Sequence, residues 1–430
     1  SRIISDVVVK SNRPAVINIE LQETILELEA AVVVAEYFIK SPDTPSSTQV
    51  QSSEEIRRLP GGFEDVVRAI SILPGVAQAD GGRNDLIVRG GAPSENLYII
   101  DNIEVPNINH FGTQGASGGP QSYINLDFVD KTSFSTGGFT AKYGDRLSSV
   151  LDISLREGLS DQLASKTTIS ASQFGFNLEG ALPQNGNFLF SARRSYLDFL
   201  FKAAGFGFVP EYWDFLTKAS FDLNQTDQIT FLGIAALNNV KWFNDTEKQR
   251  NSNSQILGSD QKQFVAGINY RHLLSSGIFT TSLSQVNVEY DFLQRSADLT
   301  PIFSNSSFDR QTSLKTDLTW KLSKSLRLST GGKLSRINFY SDLVLNQNDV
   351  PGLGSINIEE KYTRVGYKSG VYGQLSQRFF RFNYTAGLRA DHSTFLDTAP
   401  VLSPRFSMNY KLTGDISVST SVGRYNQFPS

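Results

Sequence analysis

Cysteine is absent from the 430 residues, methionine occurs once and histidine three times. Without thiols, neither a disulfide framework nor a thiolate metal site can form. Long apolar runs are missing too. The longest covers residues 30–35 (AAVVVA), whereas a spanning helix takes about 20 apolar residues. The chain therefore has no transmembrane helix, and two classes stay open: a soluble β protein, or a barrel that crosses a membrane in strands. Net charge is only −3, from 40 basic and 43 acidic residues, so the chain as a whole has no electrostatic drive toward nucleic acid. No secretory signal follows Ser1-Arg2-Ile3. The expectation is that any signal was removed or lies outside this numbering.

What is present favours β-structure. Phe (30), Tyr (15) and Gly (34) are abundant, a composition that suits pleated surfaces and turns better than helical bundles. Residues 1–35 alternate in short strands and read as the tail of a small β-sandwich. Residues 36–53 include a Pro/Ser/Thr stretch and read as a linker. Ser52 and Glu55 have capping-box spacing. A second helix is expected from Phe63, Val66, Val67, Ile70 and Leu73, with Pro74-Gly75 as its stop. Strands follow at 86–89 and 97–100, then a long Gly/Asn/Ser loop at about 102–122. Residues 54–147 thus form a small α+β domain.

From Ser149 the period changes to two. Leu151, Ile153 and Leu155 alternate with Asp152 and Ser154. Leu314, Thr316, Leu318 and Trp320 alternate with Lys315, Asp317 and Thr319, and Leu402, Pro404 and Phe406 with Ser403 and Arg405. Segments of about ten residues match the strand length that spans a bilayer. Short turns such as Asn224-Gln225-Thr226-Asp227 alternate with long polar connections at about 240–260 and 341–360, as in outer-membrane barrels. A soluble sandwich or solenoid also alternates. Aromatics near the strand ends and charges in mid-strand favour the barrel. The fold class is mainly β: residues 148–430 are the amino-terminal part of a transmembrane antiparallel β-barrel, incomplete in this chain, and residues 54–147 are an α+β domain in its lumen.

More specific are "LPGV" at Leu73-Pro74-Gly75-Val76, "LIVRGG" at 86–91 and "LYIIDNIEV" at 97–105. In that order they resemble the plug of TonB-dependent outer-membrane receptors. The stretch 128–158, with Ala141-Lys142-Tyr143-Gly144, looks like that family's passage from plug to barrel. Two positions depart from the common form: Asn102 stands where Gly is usual, and Asp130-Lys131-Thr132 replaces Arg-Ile-Glu. Both are variants expected of Bacteroidetes-type receptors. The amino-terminal strands and "ETILELEAAVVVAE" also resemble those receptors, which carry a carboxypeptidase-regulatory-like domain. The resemblance covers residues 1–160 by motif and the rest by pattern. The family's barrel has about 22 strands, against roughly a dozen candidate strands after residue 148 here, so the chain is expected to stop mid-barrel.

The resemblance implies active import of a siderophore, cobalamin, glycan or peptide, with TonB and its ExbB/ExbD energy supply as partner, outer-membrane lipid around the barrel, and in some members a surface lipoprotein. A ligand-sensing signalling receptor of the same fold is the alternative. Ala31-Val32-Val33-Val34-Ala35 fits a TonB box that adds as a strand, or else the last strand of the amino-terminal domain. Plug apices at 77–85 and 104–122 are expected to face ligand through Arg83, Asn107, Asn109, His110, Phe111 and Gln114. Arg89 and Arg146 are expected to pair with carboxylates of the barrel wall. No catalytic, cofactor or metal site is expected. His110 has no second histidine or cysteine nearby. Gly115-Ala116-Ser117-Gly118-Gly119 matches G-x-S-x-G but lacks the strand and helix of a nucleophile elbow. An outer-membrane hydrolase is the remote enzyme reading.

Overall fold

The computed structural model describes residues 47–429, apart from 60–64, 80–81, 116, 171–172, 197–200, 203, 351–353, 398 and 414–415. The amino-terminal sandwich segment and the Ala31-Val32-Val33-Val34-Ala35 stretch lie outside the described residues.

The plug begins with strand β1 (Thr48–Ser52) and helix α1 (Ser53–Arg58). The capping box is in place: Glu55 N donates to Ser52 Oγ at 3.3 Å, and Ser52 N donates to the Glu55 carboxylate at 2.7 Å. Helix α2 (Val66–Ser71) buries Val66, Val67, Ala69 and Ile70. It is shorter than the periodicity suggests, because Asp65 caps it one turn later, accepting from Val67 N and Arg68 N. After it the chain turns at Gly75, whose φ of +82° suits glycine.

Five strands form the plug sheet in the order β1, β6 (Val129–Ser135), β7 (Ser149–Leu155), β4 (Asn96–Ile100), β5 (Ile103–Val105). A separate hairpin pairs β2 (Val76–Gln78) with β3 (Leu86–Val88). Three expectations are corrected here. The linker at 36–53 ends in a strand, since β1 pairs antiparallel with β6 and Thr48 meets Ser135. The loop at 102–122 opens with strand β5, joined to β4 through Asp101 and Asn102 at φ +44° and +68°. This explains the departure at Asn102, since asparagine tolerates the left-handed conformation that a two-residue hairpin turn requires. The alternating segment at 149–155 belongs to the plug and not to the barrel. It pairs parallel with β4 and antiparallel with β6, and Val150, Leu151 and Ile153 are all buried. Its alternation reflects a central strand covered on both faces, a pattern that period two alone does not separate from a barrel strand. Each such fully buried side chain contributes about 1.5–3 kcal/mol.

The wall is a 13-stranded antiparallel meander, β8 to β20, each strand bonded to its sequence neighbours. It starts at β8 (Ala164–Ile169), not at residue 148, and does not close: β8 and β20 (Ser417–Gly423) are its edges. The strands the argument uses are β10 (Gly186–Ser195), β11 (Phe208–Asp222), β12 (Asp227–Trp242), β13 (Gly258–Leu274), β14 (Gly277–Arg295), β15 (Pro301–Lys321), β16 (Leu326–Val350), β17 (Gly354–Phe379), β18 (Phe382–Ser393) and β19 (Val401–Lys411). One rim has short turns at 183–185, 223–226, 275–276, 322–325 and 380–381. The other has longer connections at 243–257, which includes helix α3 (Glu247–Asn253), and at 296–300 and 394–400. Residues 341–360, expected as a polar loop, are instead mostly strand: β16 and β17 run 25 and 26 residues, well beyond the ~10 needed to span.

The two faces sort as the alternation requires. Leu314, Leu334, Leu388 and Leu402 are exposed on the outside, whereas Ser313, Lys315, Asp317, Ser335 and Ser403 are buried inside. No helix among the described residues is long and apolar enough to cross a membrane. An apolar outer face over a polar inner one is the arrangement of a membrane barrel.

Candidate functional site

The loop at 104–122 is knitted to itself by asparagine side chains. Asn107 Oδ1 accepts from Asn109 N at 3.0 Å, and Asn109 Nδ2 donates to Ser117 O at 2.9 Å. Asn84 donates to Asn109 Oδ1 at 2.9 Å and to Asp65 at 3.2 Å, while Asp65 also accepts from Ser122 N at 2.7 Å. These side chains stand in for a backbone ladder in an irregular segment. The wall completes the set: Gln263 donates to Asn107 O at 3.1 Å, and Gly112 N donates to Gln261 at 2.8 Å.

His110 is fully buried. Its ring stacks on Tyr212 of β11, with centroids 4.0 Å apart. Nε2 lies 3.0 Å from Asp214 and Nδ1 2.7 Å from Asn238, both on the wall. Asp214 is also bound by Arg193 of β10 at 2.8 Å. Three of the six residues expected at the ligand, Asn107, Asn109 and His110, are thus buried and fully engaged in holding the loop and seating it on the wall. Phe111 is partly exposed, and Arg83 reaches Asp85 and Thr113 within the plug. Gln114 lines a cavity between plug and wall.

The expected plug–wall pairings are reversed in direction. Arg89, at φ +50°, donates to Thr136, and Arg146 donates to Asn96 O and Asp145 O. Among the described residues neither meets a wall carboxylate. The cations sit mostly on the wall and reach into the plug. Lys218 binds Asp101 at 3.0 Å, Lys333 binds Glu104 at 2.5 Å and Lys368 binds Asp145 at 2.9 Å. Arg389 and Arg405 donate to plug carbonyls of residues 139–143. Gly144, the glycine of Ala-x-Tyr-Gly, has a local reason: a Cβ there would stand 1.9 Å from Arg389 Nε. Burial pushes the Glu104 carboxyl up, but Lys333 and Lys315 outweigh burial and hold it down to about 2. Mid-strand charges in the sequence signalled a wet lumen. Their partners, many of them main-chain carbonyls far away in the chain, carried no sequence signal.

Between plug and wall lies a cavity of about 600 Å³. The plug contributes Ser94, Glu104, Gln114 and Arg146. The inner face of β14 to β18 contributes Tyr290, Asp309, Gln311, Ile337, Phe339 and Arg364. Phe339, Tyr362 and Phe395 come from the wall's long-connection side. In barrels of this kind the short turns are periplasmic and the longer loops extracellular, so the cavity sits toward the outer mouth. Its size and its mix of aromatic, aliphatic and polar lining suit a small organic ligand.

Ser117, the serine of the G-x-S-x-G match, is buried, accepts from Tyr98 and donates to Pro93 O. It follows no strand and starts no helix, so it is a loop brace. Among the described residues no cluster of His, Asp and Glu could hold a metal.

Two family models match the chain: the TonB-dependent Receptor Plug Domain over residues 40–149 and the Outer membrane protein beta-barrel family over 257–413. No curated protein matches. Among solved structures, the chain is similar to a substituted form of the ferric enterobactin receptor PfeA of Pseudomonas aeruginosa (TM-score 0.67, 14% identity), covering 90% of this chain and 63% of that one. The copper transporter OprC gives 0.66 and 14%, covering 90% and 64%. The siderophore receptor PirA of Acinetobacter baumannii gives 0.66 and 14%, covering 90% and 62%. This chain therefore spans less than two thirds of the length of these structures, and the likeness at such identity is one of fold.

Proposed function

Since this chain belongs to the TonB-dependent receptors of the bacterial outer membrane, we propose that it imports a scarce nutrient, which binds in the cavity between plug and wall. One observation supports the reading above the others: the cavity is lined jointly by the plug and by β14 to β18 toward the long-connection rim. A ligand seated there touches the plug that must move and the wall that stays. The similar structures are named for ferric enterobactin, copper and siderophores. Siderophores, cobalamin, glycans and peptides are the ligand classes such a site takes.

In this reading the wall supplies a rigid mouth and the plug a gate. The ligand contacts Gln114 and its neighbours on the plug. Energy reaches the plug from TonB, with ExbB and ExbD, through Ala31-Val32-Val33-Val34-Ala35, captured by strand addition. The plug carboxylates Asp101, Glu104 and Asp145 exchange their wall lysines for water as it shifts.

Gln311→Trp tests the site. The position lies on the inner face of β15 and lines the cavity, so an indole there projects into the space and not onto the outer face. A strain carrying this variant should insert the receptor normally and lose uptake of the nutrient it otherwise depends on. Wild-type uptake with a folded, inserted Gln311→Trp receptor moves the ligand site elsewhere.

A further inference from the structure

Most charged side chains in the cavity lining are paired, as described above; Arg389 and Asp391 form a further pair at 2.7 Å. Two stand apart. Asp309 makes no hydrogen bond or ion pair among the described residues, and its Oδ1 is buried without a partner. Lys368, the nearby cation on the same face two strands away, is committed to Asp145. Arg364 has no carboxylate partner among the described residues. Its guanidinium donates to the Tyr362 hydroxyl at 3.2 Å and to Phe395 O at 2.9 Å, and it lies over the Phe395 ring. Those contacts fix its position and leave its charge uncompensated.

The strand register places these two groups in one row. Asp309 pairs with Phe339, and Phe339 pairs with Arg364. All three line the cavity. Two strand spacings separate the outer two, about 10 Å at the backbone. The wall thus presents an anion, an aromatic ring and a cation in line, across a cavity of about 600 Å³. An unpaired carboxylate facing a partly dry space costs free energy that a ligand cation recovers.

Building on the import reading above, we propose that the ligand is a short zwitterionic peptide, with its ammonium group at Asp309, an apolar side chain over Phe339 and its carboxylate at Arg364. Three extended residues span about 10 Å, which matches the row. The guanidinium can take a carboxylate through two parallel hydrogen bonds. Tyr290 and Tyr362, in the next row of the same face, add polar and aromatic contacts to the peptide backbone.

The test is calorimetric binding of Ala-Phe-Ala to the purified protein in detergent, with the same peptide N-acetylated or C-amidated. The free peptide should bind, and each block should weaken it about tenfold or more, the loss of one charge-assisted contact. Asp309→Asn should weaken the free peptide by a similar factor and leave the acetylated peptide no weaker than it already is. Arg364→Gln should behave in the same way toward the amide. A merely structural effect of either substitution weakens all three peptides alike, and that result overturns the proposal. So does equal binding of free and blocked peptides, or no binding of the free peptide at millimolar concentration. If Gln311→Trp still abolishes uptake in that case, the cavity is the import site and its ligand belongs to another class.

Discussion

His110 of the plug stacks on Tyr212 of the wall at 4.0 Å while its two ring nitrogens meet Asp214 and Asn238. Beside it Arg193 holds Asp214 and donates to the plug carbonyls of Ser122 and Ile124. Plug and wall are therefore joined by one continuous buried network. Removing one member leaves the others unsatisfied. His110→Ala should destabilise the docked plug by about 2–4 kcal/mol, from the emptied space and the exposed partners together. Hydrogen exchange of the loop at 107–122 should rise while exchange in the wall strands stays unchanged. Unchanged protection of the loop would show that the network does not hold the plug.

The Glu104–Lys333 pair predicts an acid response. The ordinary carboxyl value is 4.5, and the folded protein holds Glu104 at about 2. A depressed value stabilises the fold above the unfolded value, and that stabilisation is lost as pH falls through the folded one. Plug docking should therefore weaken between about pH 4.5 and 2. Glu104→Gln should flatten this part of the profile in proteolysis of the plug measured against pH. An identical acid profile in the variant would assign the effect to other carboxylates.

The architecture was legible in the sequence wherever one periodicity had one physical cause. Leu314, Lys315, Asp317 and Leu402 face the way their alternation requires, because a wall between lipid and lumen imposes period two. The same period misled at Leu151 and Ile153, since a central plug strand alternates as well. Motifs locate the plug, yet the residue types of Asn107, Asn109 and His110 suggest ligand contacts where the structure shows them bound to the loop and the wall. Polar residues in a glycine-rich loop look alike whether they meet solvent or bind each other, and only the wall residues Gln261, Gln263 and Asp214 decide it. The row of Asp309, Phe339 and Arg364 was out of reach of sequence reasoning, because it depends on the register between three strands.

The Val32-Val33-Val34 segment, outside the described residues, carries a separate prediction. Strand addition uses backbone N–H and C=O groups, and proline removes an N–H. Val33→Pro should abolish uptake with ligand affinity unchanged, whereas Val33→Ile should be nearly silent. If the segment is instead the final strand of the amino-terminal domain, Val33→Pro should render that domain protease-sensitive while transport continues.

The lipid face supplies the last prediction. Leu314 projects outward from β15 and is exposed in the structure, while Gln311, three residues earlier, lines the cavity. Odd separation along a strand places two residues on opposite faces. Leu314 lies seven residues before the end of β15 at the short-turn rim, inside the stretch of about ten residues that spans the hydrocarbon. Arginine there must carry its charge into hydrocarbon or bend toward the headgroups. Leu314→Arg should cost about 2–4 kcal/mol in bilayer refolding titrations. A nitroxide at 314 should be quenched by oxygen dissolved in lipid, and one at 311 by a water-soluble nickel chelate. Equal quenching at the two positions contradicts the wall as described, because it removes the division between a lipid face and a lumen on which the cavity, the plug contacts and the proposed import all depend.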